Sequence, residues 1–310
     1  MSTIKLTKIN DEVIVPYNIK RPKDDEILGY DTIPYLYVNC FITAPTFAGK
    51  STIVSHMIRK CADKDTIIVI FSASFYSDLE WEENRKYMKK HNIPFTAYTE
   101  IKEGKVNHLH NLINQLKAED LERHQKEEEE KELGKNKTLR SKIKPRPLFI
   151  TAESESDSEA EDEKNEKRKK KKKLKSCDYL IIFDDMSLEI RNDPQLQFFL
   201  KMARQFRAKV IISSQDYHDI KPDARKQIRY WLFLKGVPLE KLEMFYKEKG
   251  LNCGLDNLYK MYKNATSKPY GFLTVDVPRQ IFKARFDSVY TIPKEETKSL
   301  KKLKSTSQKK

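Results

Sequence analysis

FITAPTFAGKST, residues 41–52, reads as a short apolar strand that runs straight into a phosphate-binding loop and then a helix. The loop follows the pattern Ala or Gly, four free positions, Gly, Lys, then Ser or Thr. Ala44 comes first, Pro45, Thr46, Phe47 and Ala48 fill the middle, Gly49, Lys50 and Ser51 close it, and Thr52 continues the helix. The chemistry sets the spacing. Consecutive backbone N–H groups must curl around a β-phosphate while a helix N-terminus points its positive end at the same anion. Gly49 lets the main chain come that close, Lys50 reaches the β- and γ-phosphates, and the Ser51 hydroxyl is placed for Mg²⁺. Ala44 departs from the stricter form that opens on glycine, and its methyl restricts the opening turn. The flanks agree with the motif: residues 36–43 are rich in β-formers, and Ile53, Val54, Met57 and Ile58 recur at helical spacing.

A chain of 310 residues is long enough for one large α/β domain, yet with 38% hydrophobic and 34% charged residues part of it is expected not to pack. The net charge is +14. About half of that excess sits in two charge-rich segments, 118–176 and 294–310, and the rest is a moderate basic bias that suits a polyanion. Cys40, Cys61, Cys177 and Cys253 lie far apart with no C-x-x-C pair, which points to a reduced intracellular protein without a zinc site. No signal-peptide core opens the chain and no apolar run approaches the length of a membrane helix, so a soluble protein is expected.

On either side of the loop, strands and helices alternate. Edge strands are expected at 12–15 and 33–36 in an N-terminal segment 1–35. A strand at 66–72, a helix at 78–90, a strand at 93–98 and a helix at 106–117 then follow, the alternation of a doubly wound α/β sheet. Residues 118–176 break this pattern and are expected to be a charged, disordered insertion looped out of a domain made of 36–117 and 177–293. Ser154, Ser156 and Ser158 each precede an acid by three residues, a pattern suited to an acid-directed kinase. The run 167–173 reads either as solvated charge or as a nuclear-localisation or nucleic-acid contact. Residues 294–310 form a basic tail, a non-specific DNA contact or a solubilising end.

The second half supplies the acids. YLIIF, residues 179–183, is an apolar strand tipped by Asp184 and Asp185. An acid in that place holds Mg²⁺ opposite Ser51, which assigns Asp184 to the metal. Asp185 stands where hydrolysing enzymes of this class usually carry Glu, about 1.5 Å shorter in reach, and is the candidate general base. A helix at 194–206 leads to the strand 208–213, which closes in Ser214 and Gln215; a Gln at that tip orients water or senses the γ-phosphate. A short helix carrying Arg225 and Arg229, a strand at 230–234, two helices within 238–263 and a last strand at 271–277 complete the domain.

The ordered set APTFAGKST, YLIIFDDM, AKVIISSQ and PDARKQIRYWLFLKG resembles the viral genome-packaging ATPases of the FtsK/HerA superfamily, as found in poxviruses, other large DNA viruses, virophages and polinton-like elements. The resemblance covers 33–117 and 177–276. It implies a P-loop NTPase of the ASCE, RecA-like type with a largely parallel central sheet flanked by helices, using ATP and Mg²⁺. It also implies a homo-oligomeric ring that drives double-stranded DNA into a capsid, with a capsid or portal protein as partner and no membrane. The setting would be a host cell, in a cytoplasmic virus factory or the nucleus, or the virion itself. By the same resemblance Arg204 is the first candidate for an arginine that reaches a neighbour's ATP, Arg225 matches the arginine after the sensor strand, and Arg207 and Arg229 are further candidates. Two rival readings stay open. One is another P-loop enzyme, a helicase, DNA-transfer ATPase or kinase. The other is a nucleotide-dependent DNA-binding or capsid-tethering protein.

Overall fold

Residues 26–132 and 174–292 are described by the structure, a computed structural model. Nine strands form one sheet. β1 (Asn39–Thr43) is followed by α1 (Lys50–Cys61), β2 (Ile67–Ser72), α2 (Leu79–Lys90) and β3 (Phe95–Tyr98). A two-residue hairpin, β4 (Lys102–Glu103) and β5 (Val106–Asn107), precedes the long helix α3 (His108–Glu132). The second described stretch holds β6 (Tyr179–Asp184), α4 (Ser187–Asn192), α5 (Gln195–Met202), β7 (Ala208–Ser214), α6 (Pro222–Arg225) and β8 (Tyr230–Leu234). The described residues close with α7 (Leu239–Lys249), α8 (Leu255–Ala265), β9 (Phe272–Asp276), β10 (Ile281–Ala284) and β11 (Ser288–Val289).

The sheet order is β11-β10-β9-β8-β1-β7-β6-β2-β3, in which the six strands from β8 to β3 are parallel and β9 to β11 are an antiparallel extension. Every residue of β1, β2, β6, β7 and β8 is buried, as a parallel sheet covered on both faces demands. Successive side chains alternate between two cores. Cys40, Ile42, Ile68, Ile70, Leu180, Ile182 and Ile211 face α1 and α2, where Ile53, Val54, Met57, Trp81 and Met88 meet them. Phe41, Val69, Phe71, Phe183, Val210, Ile212 and Trp231 face the other layer, with α3, α5, α7 and α8. The expected P-loop fold with a largely parallel sheet between helices is what the chain adopts.

Several boundaries differ from the reading of the sequence. Residues 33–36 form no strand: Pro34 has no N–H to give a ladder, and the Tyr35 N–H turns back to the Ile33 carbonyl. The segment instead closes a turn on Gly29, and Ile27 bridges Lys175. α3 does not stop at 117 but runs on to Glu132, into the span read as an unstructured insertion, and Glu119 there accepts the Tyr179 hydroxyl at 2.7 and 2.8 Å. The strand at the 272–276 position is not the last, because the half-buried β10 and the exposed edge strand β11 follow it. The helix before β7 ends at Met202, leaving Arg204 in a turn. The expected strand at 12–15, the serines at 154–158, the basic run 167–173 and the tail 294–310 lie outside the described residues.

Phe183 is fully buried in β6 and stacks on Phe71 with ring centroids 4.9 Å apart. Phe183→Ala is expected to cost about 3–5 kcal/mol of stability, seen as a lower urea midpoint with little change in the slope of the transition.

Candidate nucleotide site

β1 delivers the phosphate loop to the C-terminal edge of the parallel strands, where open α/β sheets place their ligands. Ala44 is fully buried, its N–H donates to the Ser214 carbonyl at 3.2 Å, and its backbone is not in the left-handed region, so the loop opens without the glycine that the stricter pattern has. The turn is taken later. Phe47 (φ 62°) and Gly49 (φ 92°) both adopt positive φ, and Gly49 is the N-cap of α1. A methyl on Gly49 would stand 3.0 Å from the Tyr270 ring, so both conformation and space favour glycine there.

Lys50 is buried and folds back on its own loop, donating to the carbonyls of Ala44 at 2.9 Å and Pro45 at 3.3 Å. Burial pulls its ammonium below the usual lysine range, against the pull of the Asp185, Asp184 and Asp219 charges. Three carboxylates therefore bear on this amine. Ser51 is partly exposed beside it, whereas the Thr52 hydroxyl is committed to Glu80 of α2 at 2.7 Å. Thr52 thus ties the loop helix to α2 rather than opening toward the loop.

The acid strand ends two places away, with β7 between. Asp184 is buried, and the Trp81 indole N–H donates to its Oδ2 at 3.0 Å. Burial raises the Asp184 carboxyl above the ordinary range, while the Trp81 hydrogen bond and the Lys50 charge oppose the rise. Asp185 is different: it is exposed, in left-handed backbone (φ 55°), with its N–H on the Ser213 carbonyl at 3.0 Å. Gln215 donates from Nε2 to both Asp185 oxygens at 3.1 and 3.0 Å, and the Thr46 hydroxyl donates to Gln215 Oε1 at 3.3 Å. A side-chain chain Thr46–Gln215–Asp185 thus runs from the loop to the candidate base. Ser187 and Ser214 hydroxyls both donate to Asp219 Oδ2, the former at 2.8 Å, which locks the start of α4 to the end of β7. Asp185, Gln215 and Asp219 line an open cleft of about 470 Å³ with Ala73 and Leu188.

The arginines lie elsewhere. Arg204 and Arg207 precede β7, whose seven residues span roughly 20 Å at about 3.3 Å each before Gln215 is reached. Arg204 is exposed. Arg207 faces Asp178 at 3.5 Å and Glu127 at 3.9 Å. Arg229 is exposed at the start of β8, at the same remote edge. Arg225 is buried, donates from Nε to Glu248 at 3.0 Å and from Nη1 to the Ile220 carbonyl at 2.7 Å, and lies over the Tyr217 ring. None of the four stands beside Lys50 within the same chain. Trp81 and Asp219 acquire their places in the site only through tertiary contacts, whereas Thr46 is already placed by the loop and gains only its bond to Gln215 that way.

A phosphate loop on one strand and an acid tip on another, with β7, which leads into Gln215, between them, is the arrangement of the P-loop NTPase fold, and the fold is of that class. Comparison adds a likeness over part of the chain: residues 154–275 match the profile of the Poxvirus A32 protein family, a stretch that includes the acid and sensor strands but begins after the loop. This bears out the resemblance to viral packaging ATPases drawn from the ordered motifs. No curated protein matches the chain in sequence. Among solved structures, the genome packaging NTPase B204 from Sulfolobus turreted icosahedral virus 2, in complex with AMPPCP, is 14% identical with a TM-score of 0.45, covering 84% of this chain and 100% of that one. The B204 DNA-packaging ATPase from Sulfolobus turreted icosahedral virus is also 14% identical, with a TM-score of 0.44, covering 83% and 98%. EssC (ATPases 2 and 3) from Geobacillus thermodenitrificans is 11% identical with a TM-score of 0.37, covering 64% of this chain and 32% of that one.

Gly49→Ala is expected to destabilise the fold by about 1–2 kcal/mol through the left-handed backbone alone. Thermal or chemical unfolding of the two proteins side by side checks it.

Proposed function

We propose that the chain is an ATP-hydrolysing, DNA-translocating motor that packages double-stranded viral DNA into a capsid. The observation that carries this reading is the line Lys50, Asp184, Asp185–Gln215–Thr46 along one edge of a parallel sheet. Lys50 would leave its loop carbonyls for the β- and γ-phosphates. Asp185, held by Gln215, would accept a proton from the attacking water, and the Gln215 amide would orient the carboxylate toward that water. The donor set suits a hard divalent cation, with a hydroxyl at Ser51 and a buried carboxylate at Asp184. Among the described residues no group of three His, Cys, Asp or Glu could hold a metal by itself, so Mg²⁺ would arrive with the phosphates. When bound it would neutralise charge on the β- and γ-oxygens.

Arg204 is the candidate for an arginine given to a neighbour's site in a homo-oligomeric ring. Its exposure and its distance from the chain's own loop support that reading, whereas Arg225 is engaged by Glu248. Double-stranded DNA and a capsid or portal protein are the proposed partners, and a virus-infected cell or the virion the setting. Among the described residues no helix is long and apolar enough to cross a membrane.

The deciding experiment is ATP turnover by the full chain with and without double-stranded DNA. Stimulation by DNA supports the motor, turnover without stimulation favours a kinase or switch, and absence of turnover favours a binding module. Lys50→Ala is expected to abolish turnover with the far-ultraviolet circular dichroism unchanged. Gln215→Ala should lower kcat by about 10²-fold or more, as expected for loss of a group that places the base and water, while nucleotide affinity changes little. Arg204→Ala should lower kcat by about 10³-fold or more. Mixing Arg204→Ala with Lys50→Ala subunits should restore part of the activity, and restoration by Arg225→Ala instead would move the role.

A further inference from the structure

Tyr270 stands at the phosphate loop without a part in the phosphate chemistry. It closes the turn between α8 and β9, where it is 70% exposed and, though not glycine, holds a left-handed backbone with φ 58°. Neighbouring main chain fixes that turn. The Gly271 carbonyl accepts the Lys235 N–H at 3.2 Å, the Gly271 N–H reaches the Lys268 carbonyl at 3.2 Å, and a Cβ on Gly271 would fall 2.3 Å from the Ala265 carbonyl. The ring is therefore delivered to one place, against Gly49, with Cδ1 3.0 Å and Cε1 3.8 Å from where a Cβ would stand. An exposed aromatic in a conformation that costs energy is not explained by burial, and strain of this kind gathers at ligand sites.

The sheet order says which end of a nucleotide would meet it. β6, with Asp184 and Asp185, lies two places from β1 on one side, and β9, led by Tyr270, lies two places away on the other. Adjacent strands are about 4.8 Å apart, so each stands about 10 Å from the loop strand. A triphosphate with its γ end toward the carboxylates must send its nucleoside toward β8 and β9. That side is walled by Pro45, by Gly236, whose positive φ of 95° brings the chain to within 2.9 Å of the Pro45 ring for a Cβ built there, and by Tyr270. We propose that Tyr270 is the platform on which the base of the bound nucleoside triphosphate stacks, placed by Gly49 and Gly271. The inference rests on the reading of residues 44–52 as a nucleotide site. Stacking uses the π face that every base has, so this contact supplies affinity for a nucleoside without choosing between bases.

The test separates base from phosphate. Calorimetric titration of the full-length chain with a non-hydrolysable ATP analogue and with inorganic tripolyphosphate is compared for wild type, Tyr270→Ala, Tyr270→Phe and Lys50→Ala. Tyr270→Ala is expected to weaken the analogue about tenfold and leave tripolyphosphate within about twofold, and Tyr270→Phe to keep both. Lys50→Ala should weaken both ligands. The proposal is overturned if Tyr270→Ala binds the analogue like wild type, if it loses both ligands equally, or if Tyr270→Phe behaves like Tyr270→Ala. A wild-type chain that binds neither ligand overturns the loop reading and this inference together.

Discussion

Two consecutive carbonyls of β7 hold the two halves of the site. Ser213 accepts the Asp185 N–H from one side and Ser214 accepts the Ala44 N–H from the other. Parallel pairing in register carries the arrangement down the strands, with Thr43 opposite Ser214 and Asp184 opposite Ser213. β7 therefore acts as the ruler that sets loop and acids at one height. The apolar residues around it make this possible, since all three strands are buried on both faces and a register slip by one residue would exchange their two cores. Any change that loosened β7 would be felt at Lys50 and Asp185 at once.

Much of this was legible in the sequence because the signals were local. An apolar run of strand length ending in an acid, or a glycine and lysine before a helical pattern, needs no partner to be read; β2, β6, β7 and β8 fall where the runs of Ile, Val, Leu and Phe place them. The half-buried hairpin β10–β11 gave no such run, and its pairing with β9 is a tertiary fact. At 118–132 the acids 127–130 read as a charged extension of the preceding helix, but the span as a whole reads as an insertion until Tyr179 is seen to meet Glu119. At 33–36 the β-formers outweighed Pro34 on paper, and the proline prevailed in the fold.

The site was legible to the same degree. Lys50, Asp184, Asp185 and Gln215 follow from motif and strand position, but the hydrogen bonds that organise them come from distant segments: Trp81 to Asp184, and Thr46 to Gln215. The sequence pairs Gln215 with Asp185 only by their places on strand tips, and the contact itself, Nε2 on both Asp185 oxygens, is a tertiary fact. For the arginines the sequence offered only order along the chain. Distance separates them into Arg225, spent on Glu248 inside the fold, and Arg204 and Arg229, exposed at the edge away from the loop.

The antiparallel extension has a consequence for how copies of the chain can meet. Among the described residues the sheet ends on β3, four half-buried residues, and on β11, two exposed ones. Sheet margins this short give little template for another chain to add a strand. In the proposed ring, copies of the chain would then have to recognise one another by side chains, which can let go and regrip, and not by a continuous backbone ladder that would weld them together.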